Sequence, residues 1–251
     1  MFKKESLKLK KKMFTKEYLK KLLLFDIETV AKYSSFDQFL ENESKLANLW
    51  LDKAKKKNYY EKEKFNDLTD KDDFIYTKYS SLHPEFSKIC SISILKFIEN
   101  VDESLTTKIK TLTLDGINEK DLLTRFSIAL NTNIGMIICG HNISGFDIPF
   151  INKRLLINGL PLPTLLNFYN KKPWEINILD TMTMWKFNGT DMVSLDLLCT
   201  SLGIISPKEE DVSGMDINKL YYNNEFNIIK KYNERDVVCL SNVLLRLNEI
   251  G

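Results

Sequence analysis

Nothing in this 251-residue chain approaches 18 consecutive apolar residues, so no transmembrane helix is expected. The N-terminus is basic, with Lys3, Lys4, Lys8, Lys10, Lys11 and Lys12. It lacks the apolar stretch and small-residue cleavage site of a signal peptide, because Leu22–Phe25 runs straight into Asp26. Met13 is an alternative start, which would make the first twelve residues incidental. Cysteine is sparse: the four, at 90, 139, 199 and 239, form no Cys-x-x-Cys pair, and only His83 and His141 accompany them. That argues against a zinc site or a disulfide framework and for a reducing, cytoplasmic compartment, with the cysteines as core filling. Arginine occurs only at 125, 154, 235 and 246, and the net charge is just +2, so no global charge excess announces nucleic acid. No internal repeat is visible.

What is present suits one large α/β domain: 43% hydrophobic and 28% charged residues over a length that supports a sizeable core. Apolar runs and alternation predict strands over 21–27, 88–97, 107–114, 135–139 and 176–181. Three- and four-residue spacing predicts helices over 118–130, 148–158, 194–202 and 224–247. Residues 1–13 read as a basic, flexible tail and 14–251 as the folded domain, with a helical insertion at about 34–79. Within that insertion Lys53, Lys55, Lys56, Lys57, Tyr59 and Tyr60 are suited either to gripping phosphates and stacking bases or to forming a solvated helix face.

The most informative feature is the passage from Leu22-Leu23-Leu24-Phe25 into Asp26 and Glu28. Residues i and i+2 of a strand share a side, roughly 7 Å apart. Two acids at the end of a buried strand repel each other and lose hydration, which demands a cation or a basic partner. A second cluster ends the strand at Gly140 and leads through a polar loop to Asp147, with Pro149 in the first turn of the following helix. That puts Asp147 at the carboxyl edge of a sheet, where open α/β folds build their sites, or makes it a helix N-cap. In the last helix Ile229, Tyr232, Asp236, Leu240, Val243 and Leu247 form one core-facing stripe, in which Asp236 stands where an aliphatic residue is expected. A buried pair with Arg or Lys would explain it, and so would a metal. Four acids from three separated places fit one cage for hard divalent cations, and two such ions stabilise an in-line phosphoryl transfer. Tyr232, neutral at pH 7, suits orienting the attacking water rather than acting as a base.

Asp26-Ile27-Glu28, Asn142-x-x-x-Phe146-Asp147 and Tyr232-x-x-x-Asp236 resemble, in order and spacing, the three motifs of the DEDDy 3′–5′ exonucleases. The chain is similar to stand-alone predicted exonucleases related to the proofreading domain of B-family DNA polymerases. The likeness extends to Tyr79–Ile89, Ser194–Leu198 and Leu202–Ile204, and covers roughly Phe14 to Leu247. It implies a ribonuclease-H-like fold with a mixed, mostly parallel five-stranded sheet flanked by helices. It implies two Mg²⁺ or Mn²⁺ ions bound by Asp26, Glu28, Asp147 and Asp236, and release of nucleoside 5′-monophosphates from the 3′ end of single-stranded or frayed DNA. It also implies that Asn142 and Phe146 touch the substrate, Phe146 against the terminal base, and that the Thr29 amide meets the terminal 3′ hydroxyl. Ile143 stands where the polymerase versions often carry Gly, which bears on the loop's contact with DNA. Asp180 is either a fifth acid near the site or a strand-end cap. The last residue lies fifteen after Asp236, so no fused polymerase is expected. Alternatives on the same scaffold are a 3′–5′ exoribonuclease and a catalytically silent nucleic-acid-binding module. Retention of all four acids and the tyrosine speaks against the silent one, while DNA against RNA turns on how the pocket treats the 2′-OH. A replication or repair partner is left unspecified.

Overall fold

The structure, a computed structural model, describes residues 14–65, 70–172, 175–205 and 212–250. The basic tail inferred for residues 1–13 lies outside them. In chain order the first half comprises α1 (Lys16–Lys20), β1 (Leu22–Ala31), α2 (Phe36–Lys56), α3 (Tyr59–Lys62), α4 (Lys71–Tyr79), β2 (Ser87–Glu99) and β3 (Leu105–Thr113). There follow α5 (Glu119–Asn131), β4 (Ile137–Gly140), α6 (Asp147–Ile157), β5 (Ile178–Asp180), α7 (Thr181–Lys186), α8 (Leu195–Ser201), α9 (Ile217–Tyr222) and α10 (Phe226–Ile250). The short helices α1, α7 and α9 were not anticipated from periodicity, since fewer than two turns carry no repeat to detect.

β1 is the centre of a five-stranded sheet of order β3-β2-β1-β4-β5. It pairs antiparallel with β2 and parallel with β4; β2 pairs antiparallel with β3 and β4 parallel with β5. The sheet is therefore mixed, as expected, but evenly divided rather than mostly parallel. The difference arises because β2 and β3 form a hairpin, which a short turn can close only in the antiparallel sense.

Both faces of β1 are covered, which is why its first four residues read as an uninterrupted apolar run. Leu23, Phe25 and Ile27 join Leu122, Leu123 and Phe126 of α5, with the Phe25 and Phe126 rings edge to face at 5.4 Å. Leu22 and Leu24 face the other way, against Val237, Leu240 and Leu244 of α10. By this alternation Asp26 and Glu28 also point to the α10 side. The strand does not end at the acids, as its apolar run implies, but continues to Ala31 along β2. Its parallel neighbour stops earlier: the last β1–β4 pair is Leu24 with Cys139. Asp26 and Glu28 thus lie just beyond the carboxyl end of β4, where the sheet has opened. A bulge at Glu28/Thr29, with Cys90 of β2 as the unpaired residue, adds local twist there.

The helices between β1 and β2 carry a core of their own. Phe36, Phe39, Trp50, Tyr59, Tyr76 and Phe86 form an aromatic cluster seated on Ala31 at the end of β1. Elsewhere Arg154 of α6, buried to 4% exposure, ties helices to sheet. Its Nε donates to Glu119 Oε1 at 2.9 Å, its Nη2 pairs with Glu119 Oε2, and its Nη1 donates to the Pro84 carbonyl at 2.7 Å. Glu119 also accepts the Ile89 N–H. At the chain's two ends the Asn248 side chain binds both the N–H and the C=O of Phe14.

Candidate active site

Carboxylate oxygens of Asp26, Glu28 and Asp236 lie within 4.8 Å of one another. β1 delivers the first two, side by side on its α10 face, and α10 delivers the third across the gap. Small residues of β2 make the room: Asp26 is opposite Ser93 and Glu28 opposite Ser91, both fully buried. Asp147, at the first position of α6, adjoins this trio rather than entering it. Its Oδ1 accepts the Ile27 N–H at 3.2 Å, and the preceding Phe146, not Asp147, holds the N-cap position.

Loss of hydration dominates the electrostatics. It raises the Glu28 carboxyl well above its usual range, with further upward pressure from Asp26, Asp236 and Asp147 in that order. Burial likewise raises Asp26, followed by the charge of Asp147. Asp147 is pushed up to about 8, chiefly by burial, although the N–H groups of Asp147 itself and Ile27 favour its charged form. Among the described residues, the causes of these three shifts include neighbouring acids but no lysine or arginine. An all-oxygen set crowded in this way fits a hard divalent cation.

One polar side chain works in the opposite direction. Asn233, completely buried, donates from Nδ2 to Asp26 Oδ2 at 2.7 Å and accepts the Ser91 hydroxyl at 2.9 Å. Its hydrogen bond favours the Asp26 carboxylate. The sequence reading overlooked it, yet a signal existed: Asn233, Val237, Leu240 and Leu244 run at steps of four, three and four along α10, so a polar residue occupies a sheet-facing slot. Tyr232 is on the same helix, 8% exposed, and burial together with Asp236, Glu28 and Asp26 keeps its phenol protonated.

The loop between β4 and α6 is tightly specified. Asp180, ending β5, accepts the N–H groups of Asn142 at 2.9 Å, Ser144 at 3.2 Å and Met182 at 3.0 Å. It caps α7 and anchors the loop, as its second sequence reading has it, and its charge also raises the Asp147 carboxyl, as an acid near the site would. Asn142 has φ 56°, a left-handed conformation that Asn tolerates, and its carbonyl accepts the N–H groups of Gly145 and Phe146. Ile143 is fully buried and its side chain lies where a Cβ on Gly140 would be, 2.5–2.8 Å away. The departure at Ile143 therefore turns inward and fills core. His141 bridges the Thr181 hydroxyl and the Val193 carbonyl, a structural loop residue.

A cleft of about 310 Å³ reaches the acid cluster at Glu28, and Thr29, Leu82, Phe146, Gly214 and Met215 are among its other lining residues. Thr29 hydrogen-bonds the Ser81 carbonyl through Oγ1 at 2.8 Å, and Phe146 packs on Phe150 at 5.3 Å between ring centres. Asn142 does not line this cleft. A Cβ on Gly214 would come within 4.0 Å of the Tyr232 hydroxyl, so the tyrosine oxygen is at the same opening. The rings of the Lys53–Tyr60 cluster are taken up by contacts within the fold rather than left to stack on bases. The Tyr59 ring is stacked on Tyr79 at 4.0 Å and its hydroxyl meets His83, Tyr60 binds Asp72, and Lys53 pairs with Glu85. Those rings are committed to the aromatic core, leaving only Lys55, Lys56 and Lys57 exposed.

Residues 79–250 match the family model described as predicted 3′-5′ exonuclease related to the exonuclease domain of PolB. Among solved structures, the family B DNA polymerase from the hyperthermophilic archaeon Pyrobaculum calidifontis superposes with a TM-score of 0.52 at 14% identity. The match covers 89% of this chain but 24% of that polymerase. Among curated proteins nothing matches. Among the described residues no helix is long and apolar enough to cross a membrane.

Proposed function

The chain belongs to this family of predicted 3′–5′ exonucleases related to the exonuclease domain of PolB, and from that premise we propose that it removes nucleoside 5′-monophosphates from single-stranded or frayed DNA 3′ ends in a metal-dependent reaction. The carrying observation is the convergence of Asp26, Glu28 and Asp236 within 4.8 Å, beside Asp147 and Tyr232. In this reading residues 14–251 are the catalytic domain, 34–79 a helical insertion and 1–13 a tail.

Asp26, Glu28, Asp147 and Asp236 would hold two Mg²⁺ or Mn²⁺ ions, which when bound supply positive charge at the scissile phosphate and a more acidic water. The chain's own residues do the rest. Phe146 packs the terminal base in the cleft, and the Thr29 amide meets the terminal 3′ hydroxyl. Asn142, its backbone fixed by Asp180, contacts the strand from the loop. Tyr232, protonated, aligns the water by hydrogen bond. The water oxygen, giving up a proton to solvent, bonds to phosphorus as the bond to the 3′ oxygen of the penultimate nucleotide breaks, and that oxygen takes up a proton from solvent to become a 3′ hydroxyl.

Single-turnover digestion of matched DNA and RNA oligomers with Mg²⁺ tests this. DNA should shorten from the 3′ end, and a 3′-phosphate should block it. Hydrolysis of RNA alone would reassign the substrate, and binding without hydrolysis of either would identify a silent module.

A further inference from the structure

The cleft at the acids does not end at its own walls. Thr77, Lys78, Met215 and Asn218 also line a second opening of about 530 Å³, which runs on between α4 and α9 past Phe74, Lys219 and Asn223. One wall is fixed to the end of β1 and the other to the segment that follows it. Asn218 Oδ1 accepts the Ala31 N–H at 3.0 Å and the Tyr222 hydroxyl donates to the Ala31 carbonyl at 2.8 Å, bolting α9 to the strand. Across the groove the Tyr76 hydroxyl of α4 accepts the Tyr33 N–H at 3.0 Å and Asp73 accepts the Phe36 N–H at 2.7 Å.

The lining combines apolar side chains and two lysines with neutral polar groups. Met215 is 73% exposed and Leu82 50%, large apolar side chains left open at the rim where the two spaces meet or beside it. Lys78 is held over the Phe74 and Tyr79 rings, at 5.3 and 5.5 Å, and pairs with Glu63 at 2.6 Å. Lys219 is exposed on the opposite wall. The acids facing these lysines are engaged, Glu63 also by Tyr79 and Asp216 by Ser213. Phosphates on cationic walls with bases against apolar faces is how single strands are held irrespective of sequence.

We propose that the groove between α4 and α9 carries the single strand 5′ of its terminal nucleotide, with Lys78 and Lys219 taking its phosphates and Met215 lying between the first and second nucleotides. This rests on the exonuclease reading for the site from which the groove departs. α4 precedes all but the first residue of the family match, so the likeness itself gives that wall no role. The helices between β1 and β2 thereby act as half of the substrate track.

The test is a salt titration of single-stranded oligomer binding for wild type, Lys78→Gln, Lys219→Gln and the double variant, with Lys108→Gln on the far edge strand as control. Each groove lysine should lower the slope of log affinity against log salt by about 0.7, additively, while Lys108→Gln leaves it unchanged. Lys108→Gln should also leave the single-turnover rate at saturating strand unchanged. Lys219 is exposed, so its variant tests the groove even if Lys78→Gln fails to fold. On the substrate side, an uncharged methylphosphonate at the second or third linkage from the 3′ end should weaken binding to wild type and much less to the double variant. Slopes parallel to wild type in an active enzyme would overturn the groove while sparing the nuclease reading. Altered slopes in a protein inactive with every metal would do the reverse.

Discussion

Asn233 gives the sharpest prediction, because it touches an acid of the site without being one. Its hydrogen bond to Asp26, at 2.7 Å from a fully buried amide, is charge-assisted when Asp26 is ionised. Such bonds contribute roughly 1.5–3 kcal/mol. Losing it in Asn233→Ala should raise the Asp26 pKa, already elevated by burial, still further. A cation must displace that extra proton, so metal affinity should fall about 10- to 100-fold where the acid is protonated. Combining the change with Ser91→Ala removes the orphaned hydroxyl partner and isolates the effect on Asp26. The assay is the Mg²⁺-dependent shift in melting temperature, titrated from pH 6 to 9. The deficit should be largest at the acid end and shrink as pH rises. A deficit that is the same at every pH would refute the pKa argument, and no deficit at all would remove Asn233 from the site.

Three further outcomes follow from the same geometry. Asp236→Asn should leave the metal-free protein as stable or slightly more stable, since it relieves repulsion with Glu28, while abolishing the Mg²⁺-induced melting shift; a retained shift would count against the cage. Tyr232→Phe keeps the packed ring and deletes one hydroxyl, so turnover should drop about 10²-fold, at the low end for positioned groups, with an unchanged metal-induced shift; collapse of that shift would make Tyr232 structural. In metal-free buffer the Asp147 carboxyl, near 8 in the fold and about 3.9 unfolded, binds more protons in the native state. Stability should therefore decline as pH rises from about 4 to about 8 and level off above, which urea unfolding in chelator at stepped pH will register; a stability that climbs through that window would contradict the burial of the acid.

How much of this could be read from the chain varies with the range of the interaction. The acids on β1 and Asp236 in the α10 stripe are legible because periodicity fixes which face a residue occupies and an acid on an apolar face stands out, whereas Asp147 is legible from the strand–loop–helix pattern that ends in Pro149. Asn233 escaped because an uncharged amide is a quieter anomaly than a carboxylate. Tyr59 was misjudged because composition around a helix does not say which ring meets a distant partner, here Tyr79. Ile143 likewise seemed a change at the substrate loop, whereas contact with Gly140 turns it into the core. The equal division of the sheet between parallel and antiparallel pairs depends on strand neighbours, which no local pattern encodes.

Whether this acid cluster hydrolyses DNA from the 3′ end is decided most directly by end-labelled digestion. A single-stranded DNA labelled at its 5′ end is incubated with Mg²⁺ and either wild-type protein or Asp26→Asn, and the products are resolved by length. Wild type should give a ladder that shortens one nucleotide at a time, and none should appear with Asp26→Asn or with wild type in chelator. Immediate release of a labelled mononucleotide, internal cuts, or an unchanged ladder from Asp26→Asn would contradict the exonuclease reading.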